Sequence, residues 1–386
     1  MRASLKVGRI FGVPIYLHYS LALIMVLLAY AFGAGTGALL GFPLGYGDLD
    51  IGLAGQLALG IMAAVIFFAS VLVHELAHTY LALRRGYAIS GITLFIFGGV
   101  SEIEKAPDRA VGEGLMSLVG PLSSLAIGAF FTPLYLLVEG LSDGVALEAL
   151  AITLSITAFY NLLLGAFNLL PAFPMDGGRV LRASLVKRLG FLRATEVAVM
   201  VGRVMAIALV VLGVFYNFWL ILIALFIFLG ASQELQATRV REALRGVKVR
   251  DIMSQQVSTV VPEDTVGAVQ GKMMAERHTG YPVMEGGRPV GMVSLEGISQ
   301  VPEQARGSVP VREVMSRVVP VIRPEAEAFE ALEEMAKKKI SKLLVMDQGL
   351  MVGIVTRQDI VKAVEMMRQS DRARGSFLSL GRGPGP

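Results

Sequence analysis

Six apolar runs, each about long enough to cross a lipid bilayer, dominate the first 236 residues, at roughly 14–33, 53–83, 111–138, 147–170, 195–216 and 218–235. A crossing in helical form needs about 20 apolar residues. Within hydrocarbon every backbone N–H and C=O must be satisfied inside the protein, so runs of this kind specify helices. The second run exceeds one crossing and is expected to tilt or protrude. Composition agrees: 54% of the 386 residues are hydrophobic and 17% are charged, whereas soluble domains carry about 25% charged residues. The expected fold class is a polytopic α-helical membrane domain of about six transmembrane helices followed by a soluble α/β module.

Loop charges orient the runs. Arg2, Lys6 and Arg9 precede the first, and Arg84 and Arg85 follow the second. Arg179, Arg182, Lys187, Arg188 and Arg193 lie between the fourth and fifth, and Arg239, Arg241, Arg245, Lys248 and Arg250 follow the sixth. The opposite loops hold Asp48, Asp50, Glu139 and Asp143. The positive-inside rule then places both termini in the cytoplasm of a multi-pass cell-membrane protein. Arg203, inside the fifth run, is expected to snorkel or to face the bundle. Met1–Gly12 leads into an apolar run without a cleavage site of the signal-peptide kind. The net charge of +4 is modest and forms no basic stripe, so nucleic acid is not an expected partner.

Two further segments stand out. Between the second and third runs, residues 86–104 are too short and too glycine-rich to span; Ile92–Phe97 reads as a short strand and Gly98–Gly99 as a turn. After residue 236 the chain repeats itself at a spacing of 62: Val249–Met253 (VRDIM) matches Val311–Met315 (VREVM), and Pro289–Ser294 (PVGMVS) aligns with Met351–Thr356 (MVGIVT). Each copy reads strand, helix, strand, strand, helix. The expected division is a membrane domain over 1–236, a linker over 237–248, repeats over 249–306 and 307–368, and a disordered tail over 369–386.

The chemistry is concentrated in the second run. His74, Glu75 and His78 form an H-E-x-x-H motif. Residues i and i+4 share a helix face, so both imidazoles can bind one zinc ion. Glu75 is displaced around the helix, which suits a general base. Packing explains such a cluster poorly, because ionisable groups at membrane depth are costly and usually functional. There is no cysteine, so any zinc site uses His, Asp or Glu. A catalytic zinc takes a third protein ligand, and two candidates exist. Asp176, in the segment Asn168–Gly178 (NLLPAFPMDGG), sits at the end of the fourth run, where Pro171 and Pro174 break the helix. Irregular backbone at that depth is tolerated where it lines a cavity. His18, near the end of the first run, is the rival. Asp176 also suits a plain helix cap.

Together, HELAH in the second run, Gly98–Gly99, Gly120–Pro121 in the third run and NLLPAFPMDGG after the fourth resemble the site-2 protease family of intramembrane zinc metalloproteases. The resemblance covers about the first 236 residues. It implies one zinc held by His74, His78 and Asp176, with Glu75 as catalytic base and His18 as a structural residue. Asn168 is implied near the metal, contacting substrate or the oxyanion together with Gly98 and Gly99. Met175 stands where the family commonly has Leu. The implied function is cleavage of transmembrane segments of membrane-protein substrates inside the bilayer. A helical amide is shielded, so a substrate must unwind, and the Ile92–Phe97 strand is one place for it to pair.

The paired 62-residue units resemble tandem CBS domains, which often bind adenine nucleotides (ATP, ADP or AMP). The second copy keeps the pattern with Gly353, Thr356 and Asp359, implying a phosphate contact at Thr356 and a ribose contact at Asp359. The first copy has Ser294 but Gly297 in place of the acid. The expected role is modulation of proteolysis by an adenine nucleotide; a pair serving only homo-oligomerisation or substrate docking is the alternative. The rival class for the whole chain is a nucleotide-gated transporter or channel using the His/Glu/Asp cluster as an ion site. Transporters often show two-fold repeats among their spans, and none is read here.

Overall fold

The computed structural model describes residues 4–96, 98–105, 112–141 and 144–367. Asp143, Phe97 and the tail 369–386 lie outside the described residues. The chain forms two compact units, Met1–Gln236 and Ala237–Pro386.

The first unit opens with strands β1 (Ser4–Ile10) and β2 (Val13–His18), then helix α1 (Ser20–Ala34), the short pair β3 (Ala38–Leu39) and β4 (Phe42–Pro43), and helix α2 (Gly52–Arg84). Strands β5 (Ala88–Phe95) and β6 (Gly98–Lys105) follow, then helices α3 (Glu113–Glu139), α4 (Val145–Asn168), α5 (Asp176–Leu189), α6 (Phe191–Phe215) and α7 (Phe218–Ala243). Five of these, α2, α3, α4, α6 and α7, are long and apolar enough to cross a membrane. At 33 residues α2 runs to about 50 Å, well beyond one crossing.

The first apolar run departs from expectation. Its opening residues belong to β2, and only 15 residues remain for α1. Hydropathy summed over 14–33 cannot separate a strand from a helix when both are apolar. The signal lies in the alternation, with Val13 and Ile15 buried and their neighbours less so. The region after α2 also differs. Gly98 and Gly99 are no turn; they begin β6 and pair with Phe95 and Leu94. The resulting sheet has the order β1-β2-β5-β6, with β2 and β5 parallel at Ile15 and Ile92 and the other pairs antiparallel.

Small residues set the helix crossings, as expected where lipid and side chains are equally apolar. A Cβ on Gly60 of α2 would lie 2.1 Å from the Ala29 carbonyl oxygen of α1. A Cβ on Gly165 of α4 would lie 2.8 Å from the Pro121 carbonyl oxygen of α3. Arg203 of α6 is exposed and lays its guanidinium over the Phe228 ring of α7 at 5.6 Å. The last two turns of α7 take up residues expected to be linker.

The second unit holds α8 (Val249–Ile252), α9 (Val266–Glu276), β7 (Gly280–Glu285), β8 (Arg288–Ser294), α10 (Leu295–Ser299), β9 (Val321–Ile322), α11 (Ala328–Lys338), β10 (Lys342–Asp347), β11 (Leu350–Thr356) and α12 over 357–367. It has two apolar cores, and each takes its opening segment from the other copy. Val249 is buried with Ile322, Leu343 and Val355; Val311 is buried with Val260, Val283 and Val293. The exchange is pinned by reciprocal backbone bonds, Ser254 with Ile354 and Met292 with Ser316. Glycine makes room for it: a Cβ on Gly353 would lie 2.8 Å from Met253 Sδ, and one on Gly291 2.7 Å from Met315 Sδ. The bonded pairs and the glycine–methionine pairs are each related by the 62-residue spacing, so the repeated VRDIM and VREVM segments are the crossing points of a two-fold.

Candidate metal centre

The site is built where α2, α3 and α5 meet. His74 and His78 project from one face of α2, and Asp176 is the first residue of α5. The Asp176 Oδ2 atom is 3.3 Å from His74 Nε2 and 3.1 Å from His78 Nε2, and the two Nε2 atoms are 3.2 Å apart. Among the described residues, this is the one group of three His, Cys, Asp or Glu side chains able to hold a metal. His18 lies elsewhere: its Nδ1 accepts the Ser20 amide and meets the Ser20 hydroxyl at 2.8 Å.

The hydrogen-bond partners behind the imidazoles decide what the three atoms are for. His78 Nδ1 is 2.6 Å from the Met116 carbonyl oxygen. A carbonyl only accepts, so the proton of a neutral His78 sits on Nδ1 and its Nε2 is bare. His74 Nδ1 is likewise engaged, 2.9 Å from Ser124 Oγ. With its proton on Nδ1, donated to Ser124, His74 turns a second bare Nε2 toward the carboxylate oxygen, and three lone pairs then converge on a point that a cation can occupy. Zinc bonds of about 2.0–2.1 Å in a tetrahedron separate ligands by about 3.3–3.4 Å. The observed separations fit that ion.

Helix α3 supplies the support at a helical repeat of four. Met116 gives the carbonyl and Ser124 the hydroxyl. Gly120 between them leaves the space, since a Cβ there would lie 2.1 Å from His78 Nε2 and 2.7 Å from His74 Nε2. Gly120 was visible in the sequence as part of the Gly120–Pro121 pair; Met116 and Ser124 were not, although their spacing around that glycine was the available signal.

Asp176 is fixed from its own side. The loop before it is buried at Ala172, Phe173 and Met175. Met175 packs with Ala224 and Ile227 of α7. A Cβ on Gly230 of α7 would meet Pro174 Cγ at 2.7 Å. Two turns into α5, the buried Arg182 is clamped by Glu113 of α3 and Glu234 of α7, with the Phe173 and Phe191 rings against its guanidinium at 4.9 and 4.6 Å. Sequence reading took Arg182 for a loop charge; nothing local distinguished it from its neighbours.

A cavity of about 800 Å³ opens on these groups, its lining including Glu75, Asn168, Gly98 and Gly99. Asn168 donates Nδ2 to the Leu164 carbonyl at 3.0 Å. In the second unit Thr356 gives both its amide and hydroxyl to Asp359 Oδ2, at 2.9 and 2.7 Å. The equivalent Ser294 oxygen accepts the Gly297 amide at 3.2 Å, with no acid in reach from that position.

Comparison with known proteins agrees with this architecture. The family model for peptidase family M50 matches residues 142–212, and that for the CBS domain matches 249–302 and 311–366. A zinc metalloprotease of Methanocaldococcus jannaschii is 31% identical over 97% of this chain and 100% of that protein. The chain therefore belongs to the M50 peptidases, the site-2 protease family of membrane zinc metalloproteases, and carries a CBS pair. Rip3 of Mycobacterium tuberculosis is 33% identical over 95% of this chain and 94% of that protein. The solved structure of a site-2 protease from Methanocaldococcus jannaschii is 33% identical, covering 60% of this chain and 95% of that one at a TM-score of 0.41. The chain is a multi-pass membrane metalloendopeptidase acting on membrane-protein substrates, and the transporter reading falls away.

Gly120→Ala is expected to strip the metal and abolish proteolysis while leaving helical content unchanged. Metal analysis and circular dichroism on the purified variant check this; a variant with full zinc and full turnover would mean that α3 does not seat the two imidazoles.

Proposed function

We propose that His74, His78 and Asp176 hold one zinc ion per chain, and that Glu75 is the general base for hydrolysis of a peptide bond within a transmembrane segment. The observation that carries this reading is the convergence of three electron-pair donors at 3.1–3.3 Å on the wall of a cavity that also exposes Glu75. Zinc held there would supply a Lewis acid and would lower the pKa of a coordinated water. Glu75 is placed to accept a proton from the attacking water and to return it to the departing amine nitrogen. Met116 and Ser124 keep both imidazoles oriented throughout.

Substrate placement follows from the same cavity. Asn168, Gly98 and Gly99 line it, which supports contacts to the unwound substrate or to the developing oxyanion. The strand expected from Ile92 onward to pair with substrate is β5, which is already bonded on both sides by β2 and β6; among the described residues β6 is the edge next to it, so an extended segment can pair there instead. The basic loops support an orientation with both termini cytoplasmic. The intact Thr356–Asp359 pair supports one adenine-nucleotide site per CBS pair, in the second copy. Such a ligand regulates proteolysis only through different affinities for the active and inactive states.

In Glu75→Gln, cleavage of a single-span model substrate should fall at least about 100-fold with zinc still bound. Asp176→Ala should lose zinc, His18→Ala should keep it, and Asn168→Ala should keep zinc but turn over more slowly. Turnover near wild type in Glu75→Gln would sink the base assignment, and zinc lost from His18→Ala but not Asp176→Ala would exchange the ligands. Single cysteines are clean reporters because the chain has none of its own: an impermeant thiol reagent added to intact cells should label Asp48→Cys and miss Ser308→Cys, and the opposite pattern reverses the topology. Calorimetric titration of ATP, ADP and AMP into the purified full-length protein should reveal one binding event, lost in Asp359→Ala. Silence at millimolar nucleotide would leave the pair a dimerisation or docking module.

A further inference from the structure

The group assigned as general base is itself held from outside its helix. Ser101 of β6 donates its hydroxyl to Oε2 of Glu75 at 3.1 Å. A carboxylate only accepts, so that proton is committed. The Ser101 oxygen also lies 3.1 Å from the Thr79 hydroxyl, and in that contact Thr79 must be the donor. The hydroxyl protons run one way, from Thr79 through Ser101 to Glu75. Thr79 is buried, at 1% exposure, so the chain has a fixed inner end.

The spacing on α2 explains how this coexists with the metal site. Glu75 and Thr79 are four residues apart, a row lying one position around the helix from His74 and His78. The histidine row faces α3; the glutamate row faces β6. Gly99 permits the approach, since a Cβ there would lie 2.4 Å from Glu75 Cγ. Two strand residues, Gly99 and Ser101, therefore share one side of β6 and meet the same carboxylate.

We propose that Ser101, backed by Thr79, is a positioning residue for the general base. This rests on the assignment of Glu75 made above. A glutamate on a cavity wall has three side-chain torsions and a choice of many orientations. Pinning Oε2 leaves the other oxygen to face the attacking water and the scissile amide, so the torsional entropy is spent in folding and not at the moment of reaction. Strand β6 is also the edge to which an extended substrate can pair, so substrate docking bears on the residue that aims the base.

A hydroxyl pair that merely fastened β6 to α2 would affect stability or KM; a positioning pair acts on kcat. Ser101→Thr and Ser101→Val are nearly isosteric and both suit a strand, but only threonine keeps the hydroxyl. In purified full-length protein with a single-span model substrate, Ser101→Thr should stay close to wild type. Ser101→Val should lose about 10- to 100-fold in kcat, the worth of a hydrogen bond to a charged group, with KM and zinc content unchanged. Thr79→Val should move kcat the same way by less. If the added methyl groups disturb both strand variants, Ser101→Ala decides by the same criteria. The proposal is overturned if the variant without a hydroxyl matches the threonine variant, loses only KM, or loses zinc. Glu75→Gln measured in parallel separates the two levels of argument. An inactive Glu75→Gln beside a fully active Ser101→Val removes Ser101 alone, whereas an active Glu75→Gln removes the base and the proposal with it.

Discussion

Three side-chain atoms from two helices, brought within 3.1–3.3 Å of one another, are the constraint on which the membrane unit depends. Without support, the His74, His78 and Asp176 side chains would be free to rotate apart. The support is backbone and small residues, not more charge. Helix α3 contributes a carbonyl from Met116, a hydroxyl from Ser124 and, at Gly120, the absence of a side chain. This economy suits a site beside lipid, where each extra ionised group would need its own partner.

The proposed third ligand poses a different problem. Asp176 follows a loop broken by two prolines, in which turn hydrogen bonds such as Ala172 N–H to the Leu170 carbonyl at 2.7 Å and Met175 N–H to the Ala172 carbonyl at 3.1 Å stand in for a helix. Packing adds to them, with Phe173 and Met175 buried and Gly230 of α7 drawn against Pro174. The Arg182 clamp then ties α5 to α3 and α7 at once. A buried guanidinium persists only when its acids are in place, and removing one partner of such a pair typically costs about 3–5 kcal/mol. The clamp therefore makes the seating of α5 close to all-or-none, and with it the position of the ligand at its first residue.

How much of this was legible follows from what each signal encodes. The H-E-x-x-H row was plain because both proposed histidine ligands and the proposed base come from one helix, where spacing alone fixes geometry. Asp176 was legible through its two prolines and the end of an apolar run, but its rival His18 could be set aside only by resemblance. The α1 region misled because hydropathy reports burial in lipid and not secondary structure; Ile15 and Leu17 of strand β2 extend the apolar run of the helix after it. Gly98 and Gly99 read as a turn because glycine pairs usually are one, whereas here the missing side chain serves a close approach to Glu75. Ser101 and Arg182 carried no local mark, and Met116 and Ser124 had only their spacing around Gly120. Their roles come from neighbours between 26 and 69 positions away, and only the fold brings those together.

The second unit shows the same logic run through symmetry. The 62-residue repeat gives each copy a glycine, Gly291 or Gly353, to receive the methionine of the other, so the two-fold is built from contacts that neither copy makes alone. A two-fold of this kind would ordinarily yield two equivalent ligand positions. Here the equivalence is broken where a ligand-binding side chain would matter: Asp359 receives two hydrogen bonds from Thr356, and its counterpart Gly297 offers only a backbone amide to Ser294. It is broken again at the axis, where Lys342 donates to the carbonyl of its own counterpart, Gly280, at 3.1 Å, and burial pushes its ammonium pKa down. The core contacts keep the symmetry while these polar positions abandon it. Stability therefore demands both copies, but the acidic side chain at this matched position is supplied by one.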